Sequence, residues 1–321
     1  MKVGVLGGTR FIGFHLVRAL LARGDDVTLF SRGLTREPEP FSGTPTRVAG
    51  DRDRPGDLEA FLARGFDAIV DLSGYAPRHV TASRVGHYVF CSSSSAYAVP
   101  PPSPYTEDAP LTRAAGTYGG DKVLAEDALR ASGLPVTIFR PQAVFGPHGA
   151  EQALYALRRI AAGAPVLVRP EAAGRRINPL WVGDLVAAFI AAMERPAAGV
   201  RTYNAAGPDT VDPAGFVARA ATGGRTIVID SESAAMLPHL GLPWLSHDLV
   251  ADAGKLGREL GWTPLPLDEA LRRTWDWART EPVRLRFKPQ RWERAAAAGR
   301  RPGPWVRRIW RLYDAARQLL P

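Results

Sequence analysis

The stretch that decides the fold is VGVLGGTRFIG, residues 3–13, near the amino terminus. Its first four residues form an apolar run that predicts a buried strand, and Phe11 begins a helical pattern that continues to Arg23. Between them, Gly7 permits a tight turn and Gly13 lets helix and strand approach closely. A helix that starts in this way presents free N–H groups and a positive dipole end to a pyrophosphate. The stretch therefore predicts a dinucleotide site, with a generic strand-to-helix turn as the alternative.

Short β-rich runs alternate with helical patterns through the first half of the chain, which is typical of a parallel sheet covered by helices. We predict strands at 3–6, 27–30, 46–49, 68–72, 87–91 and 136–139, and helices at 11–23, 57–64, 118–132, 151–162 and 184–194. Segment 74–86 has room for at most about two turns of helix. The predicted fold class is α/β, a Rossmann-like doubly wound parallel sheet with a smaller C-terminal substrate lobe and a basic helical tail.

The composition divides the chain into three parts. We place a dinucleotide-binding domain at 1–145, a mainly substrate-binding lobe that interleaves with it at 146–281, and a basic amphipathic extension at 282–321. This tail accounts for the whole formal net charge of +9, so the first 281 residues are neutral. A basic amphipathic helix suits peripheral contact with an anionic membrane or a partner. We favour packing of its apolar stripe against the body or a second subunit.

The single cysteine, Cys91, excludes an intramolecular disulfide and a cysteine-rich metal site, and it fits a reducing compartment. No apolar stretch reaches the length of about 18 residues that a membrane span needs. The amino terminus lacks the apolar run and cleavage site of a signal peptide. We therefore expect a cytoplasmic protein with no metal.

The end of the second predicted strand, Phe30-Ser31-Arg32, bears on which dinucleotide is preferred. A carboxylate here would bind the adenosine ribose of NAD, and the sequence has none. Ser31 is able to donate to a 2′-phosphate, Arg32 to pair with it bidentately, and Arg10 lies within reach. We expect NADP(H), with NAD(H) as the other cofactor to consider, unless Arg32 is a solvated loop charge. Asp51, after the third strand, is placed to accept from the adenine amino group.

Tyr118 and Lys122, in the segment YGGDK, are four residues apart and so share one helical face. A tyrosine has a reference pKa of about 10, and a nearby ammonium lowers it, which makes Tyr118 a usable general acid/base. The serine run at 92–95 follows the fifth strand, where a hydroxyl is able to bond a substrate oxygen. The alternatives are an ordinary amphipathic helix and a serine loop that satisfies its own backbone.

Together these elements resemble the extended short-chain dehydrogenase/reductases, the superfamily of nucleotide-sugar epimerases and dehydratases. The resemblance runs from Met1 to about Glu281. It rests on GGTRFIG, the serine run ending in Tyr97, YGGDK, RPQAVFGP at 140–147, the helix start at 184–185 and RELGWTP at 258–264. The GGTRFIG form is most similar to a branch that includes chloroplast stem-loop-binding proteins.

The resemblance implies a catalytic set of Ser93, Tyr118 and Lys122. In it, Ser93 polarises the substrate oxygen, Tyr118 transfers the proton, and Lys122 tunes Tyr118 and holds the nicotinamide ribose. The expected cofactor contacts are Gly7, Thr9, Arg10, Phe11, Ile12, Gly13, Ser31, Arg32, Asp51, Leu72, Ser73, Gly74, Lys122, Arg140 and Pro141.

Four further residues are candidate substrate contacts. The resemblance implies Ser95 as an accessory hydroxyl and His148 as a substrate-side acid, although a plain loop histidine is the interpretation we favour. Arg175 and Arg176 either hold a phosphate or carboxylate of the substrate or form a solvated pair.

Departures from the family pattern narrow the expected activity. Dehydratases carry an Asp-Glu pair where this sequence has Ser94 and Ser95, so we do not expect 4,6-dehydration. In the family, a full helix between the fourth and fifth strands joins the usual dimer interface. Here that segment is too short for a full helix, which counts against the usual dimer. We expect an NADP(H)-dependent reductase or epimerase acting on a secondary hydroxyl or keto carbon of a sugar-like, nucleotide-linked small molecule. The alternative, a dinucleotide-regulated RNA- or partner-binding protein, has no need of the complete Ser/Tyr/Lys set.

Overall fold

The computed structural model of the chain describes residues 1–75, 85–149, 151–196, 198–220, 224–229, 247–280, 288–289 and 291–300. The strands, numbered in chain order, are β1 (Lys2–Leu6), β2 (Asp26–Ser31), β3 (Thr46–Ala49), β4 (Phe66–Asp71), β5 (Val85–Cys91), β6 (Val136–Pro141), β7 (Val166–Val168), β8 (Val200–Ala205) and β9 (Thr226–Val228). The helices are α1 (Phe11–Arg23), α2 (Asp57–Leu62), α3 (Tyr118–Ala131), α4 (Glu151–Ala161), α5 (Val182–Glu194), α6 (Pro213–Ala220), α7 (Gly254–Leu260), α8 (Leu267–Thr280) and α9 (Arg291–Ala297). The predicted α/β class is confirmed.

The main sheet has seven parallel strands in the order β3-β2-β1-β4-β5-β6-β8, and it contains all six predicted strands. The order reverses at β1, which pairs with β2 on one side and with β4 on the other. Leu6 pairs with Phe30 of β2 and with Asp71 of β4, so the carboxyl ends of these three strands lie side by side. Ligands of open α/β sheets bind at such a switch point.

Two hydrophobic cores cover the two faces of this sheet, as the predicted doubly wound arrangement requires. Successive residues of a strand point to opposite faces. Val5 of β1 therefore belongs to the core that includes Leu16 of α1, whereas Leu6 belongs to the core that includes Phe61 of α2 and Leu129 of α3.

The turn between β1 and α1 depends on its glycines. Gly7 has a φ of +91°, a left-handed conformation that is costly for other residues. A Cβ on Gly13 would overlap the Gly7 carbonyl oxygen, so a larger residue would push the first turn of α1 away from β1. The helix then runs to Arg23, as predicted, and ends at Gly24 with a φ of +84°.

The sequence pattern does not predict β8, which pairs with β6 at the edge of the sheet. Only the last three residues of β8 are buried, so it lacks the continuous apolar run of a central parallel strand. Residues 1–149, 178–210 and 249–270 form one compact unit, and the described residues of 150–177, 211–248 and 271–321 form a second. The region assigned to the lobe thus contributes three stretches to the first unit, 146–149, 178–210 and 249–270, and the second of these contains β8.

Two predictions fall wholly or partly outside the described residues. They are the short segment before β5, of which 76–84 are not described, and the amphipathic stripe of the tail from 301 on. In the described ranges, no helix is long and apolar enough to cross a membrane.

A buried polar network connects α3, β6 and the serine run. Glu126, which is wholly buried, accepts two hydrogen bonds from Arg140 (3.0 and 2.6 Å), one from Ser92 (2.5 Å) and one from Arg130 (2.8 Å). Arg140 also donates to the Tyr97 hydroxyl (3.0 Å), which in turn donates to Asn204 Oδ1 (2.5 Å). Burial alone would raise the pKa of Glu126, but the bonds and charge of Arg140 bring that pKa below its usual value. The network ties the serine run to α3.

Replacement of Glu126 tests the strength of this network. Glu126→Gln should lower the free energy of unfolding by about 3–5 kcal/mol near neutral pH, because the Arg140 guanidinium is left buried without its counter-charge. The folded-state pKa of Glu126 is lowered, so its contribution is full above the unfolded-state value of 4.5 and is lost as the pH falls through the folded value. Urea unfolding at a series of pH values should show that the difference in free energy of unfolding between the native protein and the variant becomes smaller as the pH falls below 4.5.

Asp127→Asn is the matched control, because Asp127 lies on the same helix but makes surface ion pairs with Arg113 and Arg130. Such pairs are worth at most about 1 kcal/mol. A Glu126→Gln protein as stable as this control at neutral pH would contradict the account of the network.

Candidate active site

A cavity of about 240 Å³ opens at the carboxyl ends of β1, β2, β3 and β4. It is lined by Gly7, Thr9, Phe30, Ser31, Arg32, Gly33, Leu34, Thr35, Gly50, Asp51, Arg52, Asp53, Ser73 and Tyr75. The predicted cofactor contacts in this lining are Gly7, Thr9, Ser31, Arg32, Asp51 and Ser73. Those outside it are Arg10, Phe11, Ile12, Gly13, Leu72, Gly74, Lys122, Arg140 and Pro141.

The amino terminus of α1 is suited to an anion. Arg10, at the N-cap, makes no side-chain capping bond, and the first turn contains no acidic residue. Phe11, the first helical residue, has a φ of +33°, a strained conformation of the kind found where a backbone approaches a ligand. The side chains of Ile12 and Leu72 pack against the hydrophobic core, which leaves their backbone atoms for the predicted contacts. The exposed N–H groups of such a turn fit a pyrophosphate.

Three arginines near the cavity differ in what they bind. Arg32 is exposed in the lining and makes no hydrogen bond or ion pair with any other residue in the described part of the chain. Arg10 donates to the Thr35 hydroxyl (3.1 Å). Arg52 binds both carboxylate oxygens of the buried Asp71 (3.1 and 3.3 Å). Arg32 and Arg10, which have no carboxylate partner in the described part of the chain, are therefore available to an added anion, whereas Arg52 is already paired.

Ser31 and Asp51 each turn one oxygen toward their own loop. Ser31 Oγ accepts from the N–H of Gly33 (3.3 Å), and Asp51 Oδ1 accepts from the N–H of Asp53 (3.1 Å). Neither bond uses the Ser31 hydroxyl proton or the second Asp51 oxygen. The phosphate and adenine contacts of these two residues stay predictions.

The structure brings Ser93 and Tyr118 together beyond the end of β5. Ser93 Oγ accepts from the N–H of Ser95 (3.1 Å), and the Ser93 side chain lies near enough to Tyr118 to affect its pKa. Tyr118 is the first residue of α3, and 54% of its surface is exposed. Desolvation nonetheless raises the pKa of Tyr118 to about 12, although the nearby Ser93 side chain lowers it.

Lys122 is buried one turn further along α3, with 1% of its surface exposed. Its Nζ donates to the carbonyl oxygens of Gly74 (2.7 Å) and Cys91 (2.8 Å), and it lies 4.7 Å from the ring centre of Tyr75 and 5.9 Å from that of Tyr118. The prediction that the Lys122 ammonium lowers the pKa of Tyr118 is wrong for the chain by itself. Two carbonyl groups hold the ammonium, and desolvation of the phenol is the larger effect.

The candidate substrate residues of the first unit lie in different surroundings. Ser95 is exposed in the serine run. The His148 side chain is 3% exposed, with its ring centre 5.0 Å from that of Phe14 and its Nε2 2.6 Å from a carboxylate oxygen of Glu39. This is the placement of a packed histidine. The role of either residue toward a substrate stays a prediction.

Arg175 and Arg176 were predicted to contact the substrate, and Arg140 the cofactor. In the second unit, Arg175 is exposed and Arg176 binds Asp248 through two hydrogen bonds (2.9 and 2.8 Å). In the first unit, Arg140 makes three bonds within the network of Glu126 and a fourth to a main-chain carbonyl (3.0 Å). Its guanidinium thus supports the serine run, and contact with a ligand stays a prediction.

Sequence reasoning missed Arg52, Tyr75 and Gly119. Arg52 and Tyr75 each come directly after a predicted cofactor contact, and adjacency was the signal available. A Cβ on Gly119 would overlap the Ser95 carbonyl oxygen, so this glycine lets α3 start against the serine run. The signal for it was a glycine pair in the first turn of a helix, where glycine is unfavourable.

Comparison with known proteins gives matches along most of the chain. A model of the NAD dependent epimerase/dehydratase family matches residues 3–84 and 78–206. The chain is 27% identical over 289 residues to the chloroplast stem-loop binding protein of 41 kDa b of Arabidopsis thaliana. This alignment covers 82% of this chain and 75% of that protein. It is also 29% identical over 185 residues to a UDP-glucose 4-epimerase of Erwinia amylovora. That alignment covers 47% of this chain and 55% of that enzyme.

Among solved structures, the UDP-glucose 4-epimerase from Bifidobacterium longum in complex with NAD+ and UDP has a TM-score of 0.70 to this chain at 19% identity. The superposition covers 88% of this chain and 99% of that one, and it shows a shared fold. The family resemblance drawn from the sequence motifs is confirmed, while the branch inferred from GGTRFIG stays a prediction. Because the family model matches more than half of the chain, this protein belongs to the NAD-dependent epimerase/dehydratase family of enzymes.

Proposed function

We propose that the chain is an oxidoreductase, a reductase or epimerase, that uses a nicotinamide dinucleotide on a secondary hydroxyl or keto carbon of a sugar-like, nucleotide-linked substrate. The observation that carries the proposal is the placement of Ser93, Tyr118 and the buried Lys122 close together at the carboxyl edge of the sheet. Family membership supports the reaction class. Similarity to a UDP-glucose 4-epimerase supports the substrate class.

The residues present fit a dinucleotide. The turn from Gly7 to Gly13 would hold the pyrophosphate, the loop with Arg32 and Asp51 the adenosine end, and Lys122 the nicotinamide ribose. A bound dinucleotide supplies or accepts a hydride.

The chain's own residues provide the proton chemistry. Ser93 donates a hydrogen bond to the substrate oxygen, and Tyr118 exchanges the proton. With a pKa of about 12, the Tyr118 phenol is protonated near neutral pH and therefore enters as an acid. This suits the reductive direction, in which the keto oxygen receives the Tyr118 proton. The Lys122 ammonium then stabilises the phenolate that remains.

Within this function we propose a preference for NADP(H). At the adenosine end of the cavity, Arg32 has no hydrogen-bond or ion-pair partner among the described residues, and the end of β2 has no carboxylate. A phosphate gains two parallel charge-assisted bonds from such a group. The NAD-bound relative named above is a separate protein, and its cofactor does not decide the preference of this chain.

The first test is the affinity for the two cofactors. NADPH should bind at least about tenfold more tightly than NADH, a difference of about 1.4 kcal/mol. Arg32→Ala should remove most of this difference, because it deletes the phosphate partner. Titration of cofactor fluorescence measures both constants. Arg64→Ala, at the amino-terminal edge of β4, is the control, and equal affinities in the native protein would refute the preference.

The second test is turnover. A screen of UDP-sugars with both cofactors identifies a substrate, and Tyr118→Phe should then reduce kcat by at least about 100-fold. Cofactor affinity should stay nearly unchanged, because the variant lacks only the proton-transfer group. Lys122→Ala should weaken both. A Phe variant that keeps substantial activity would show that Tyr118 has another role.

A second candidate function is binding of structured RNA. The observation that favours it is the similarity to a protein named for stem-loop binding. If RNA is the ligand, a labelled stem-loop should bind with an affinity that falls steeply with salt, and Tyr118→Phe should leave that affinity unchanged. Absence of RNA binding together with UDP-sugar turnover would eliminate this candidate.

A further inference from the structure

The turn after β4 is organised by one buried carboxylate. Asp71 is wholly buried, and its two oxygens accept four hydrogen bonds. Two come from Arg52 (3.1 and 3.3 Å), one from the Tyr88 hydroxyl (2.8 Å) and one from the N–H of Ser73 (2.9 Å). A carboxylate has about four acceptor positions, so Asp71 is saturated.

Lys122 lies near this carboxylate without bonding to it. Its Nζ donates to two neutral acceptors, the carbonyl oxygens of Gly74 and Cys91, and one of its three N–H bonds is outside these contacts. Burial lowers the pKa of Lys122; the charge of Asp71 raises it and that of Arg52 lowers it further. Both side chains are therefore close enough to act on the ammonium.

A buried carboxylate and a buried ammonium attract each other strongly, because the surrounding dielectric is low. If no other cation bound Asp71, it would draw Lys122 into an ion pair. Arg52 prevents this because its planar guanidinium occupies both oxygens at once.

We propose that Arg52 is a positioning residue: by saturating Asp71 it keeps the Lys122 ammonium on the two carbonyl oxygens, with one N–H left for the ribose of a nicotinamide dinucleotide. Arg52 lines the cavity, yet it acts through Asp71. The inference rests on the proposed function in naming Lys122 as the cofactor-binding lysine. The other titratable groups that face Lys122 are Cys91, Glu126, Tyr75 and Tyr118.

The experiment follows the titration of Lys122 in the full chain. The sequence contains four lysines, Lys2, Lys122, Lys255 and Lys288, so ¹³C-labelled lysine gives few NMR signals, and Lys122→Arg assigns the buried one. Arg52→Gln should move the Lys122 midpoint to higher pH, because Asp71 is then uncompensated. Asp71→Asn should move it to lower pH. Arg54→Gln, an exposed neighbour, is the control and should leave it unchanged.

Cofactor binding supplies the second measurement. Arg52→Gln should weaken NADPH binding by about tenfold, the effect of losing one charge-assisted bond. The double variant Arg52→Gln/Asp71→Asn has no charge to draw Lys122 away, so it should recover most of the affinity and a midpoint near the native one. If Asp71→Asn does not fold, Arg52→Lys replaces it, and its midpoint should lie below that of Arg52→Gln.

Midpoint shifts of the same sign in Arg52→Gln and Asp71→Asn, or no shift in Arg52→Gln, would overturn the proposal. A role limited to stability would not produce the loss of NADPH affinity in Arg52→Gln and its recovery in the double variant. The titration requires neither cofactor nor substrate, so its outcome is separate from a failure of the proposed function. That failure would appear as absence of dinucleotide binding by the native protein.

Discussion

The close approach of α1 to the carboxyl end of β1 is the constraint on which the site depends. The Gly7 carbonyl oxygen occupies the place where a side chain of Gly13 would begin, so helix and strand meet only without one. Parallel pairing of β1 with β4 brings a second turn to the same point, and a Cβ on Gly7 would lie 3.0 Å from Ser73. The N–H groups that we propose as the phosphate site and the Asp71 turn are consequently neighbours.

Two buried carboxylates then hold the chemical groups. Glu126 binds Arg140 and ties the serine run to α3, while Asp71 binds Arg52 and organises the turn after β4. Burial of such charges is costly unless each is fully hydrogen-bonded, and both carboxylates are. Lys122 therefore bonds to neutral carbonyl groups, although two anions are near enough to affect its pKa.

Much of this arrangement is predictable from sequence, because local patterns determine it. Five of the six predicted strands are buried apolar runs, the glycine turn follows the first of them, and Tyr118 and Lys122 are one helical turn apart. The edge strand β8 was missed because it is half exposed. Arg52 was missed because a loop arginine normally indicates a solvated charge, and its partner Asp71 is 19 residues away. The predicted direction of the Tyr118 pKa shift was wrong. The four-residue spacing places an ammonium nearby but does not reveal the carbonyl groups that hold it.

The central claim is that a dinucleotide binds along the carboxyl edge of the sheet, between the glycine turn and Lys122. Amide hydrogen exchange of the full chain, with and without NADPH, tests this directly because it needs no substrate. The account predicts slower exchange in peptides that contain residues 7–13, 31–35 and 72–75, with no comparable change in α4 or α6. Unchanged exchange in these three segments at saturating NADPH and NADH, or protection confined to other parts of the chain, would contradict it.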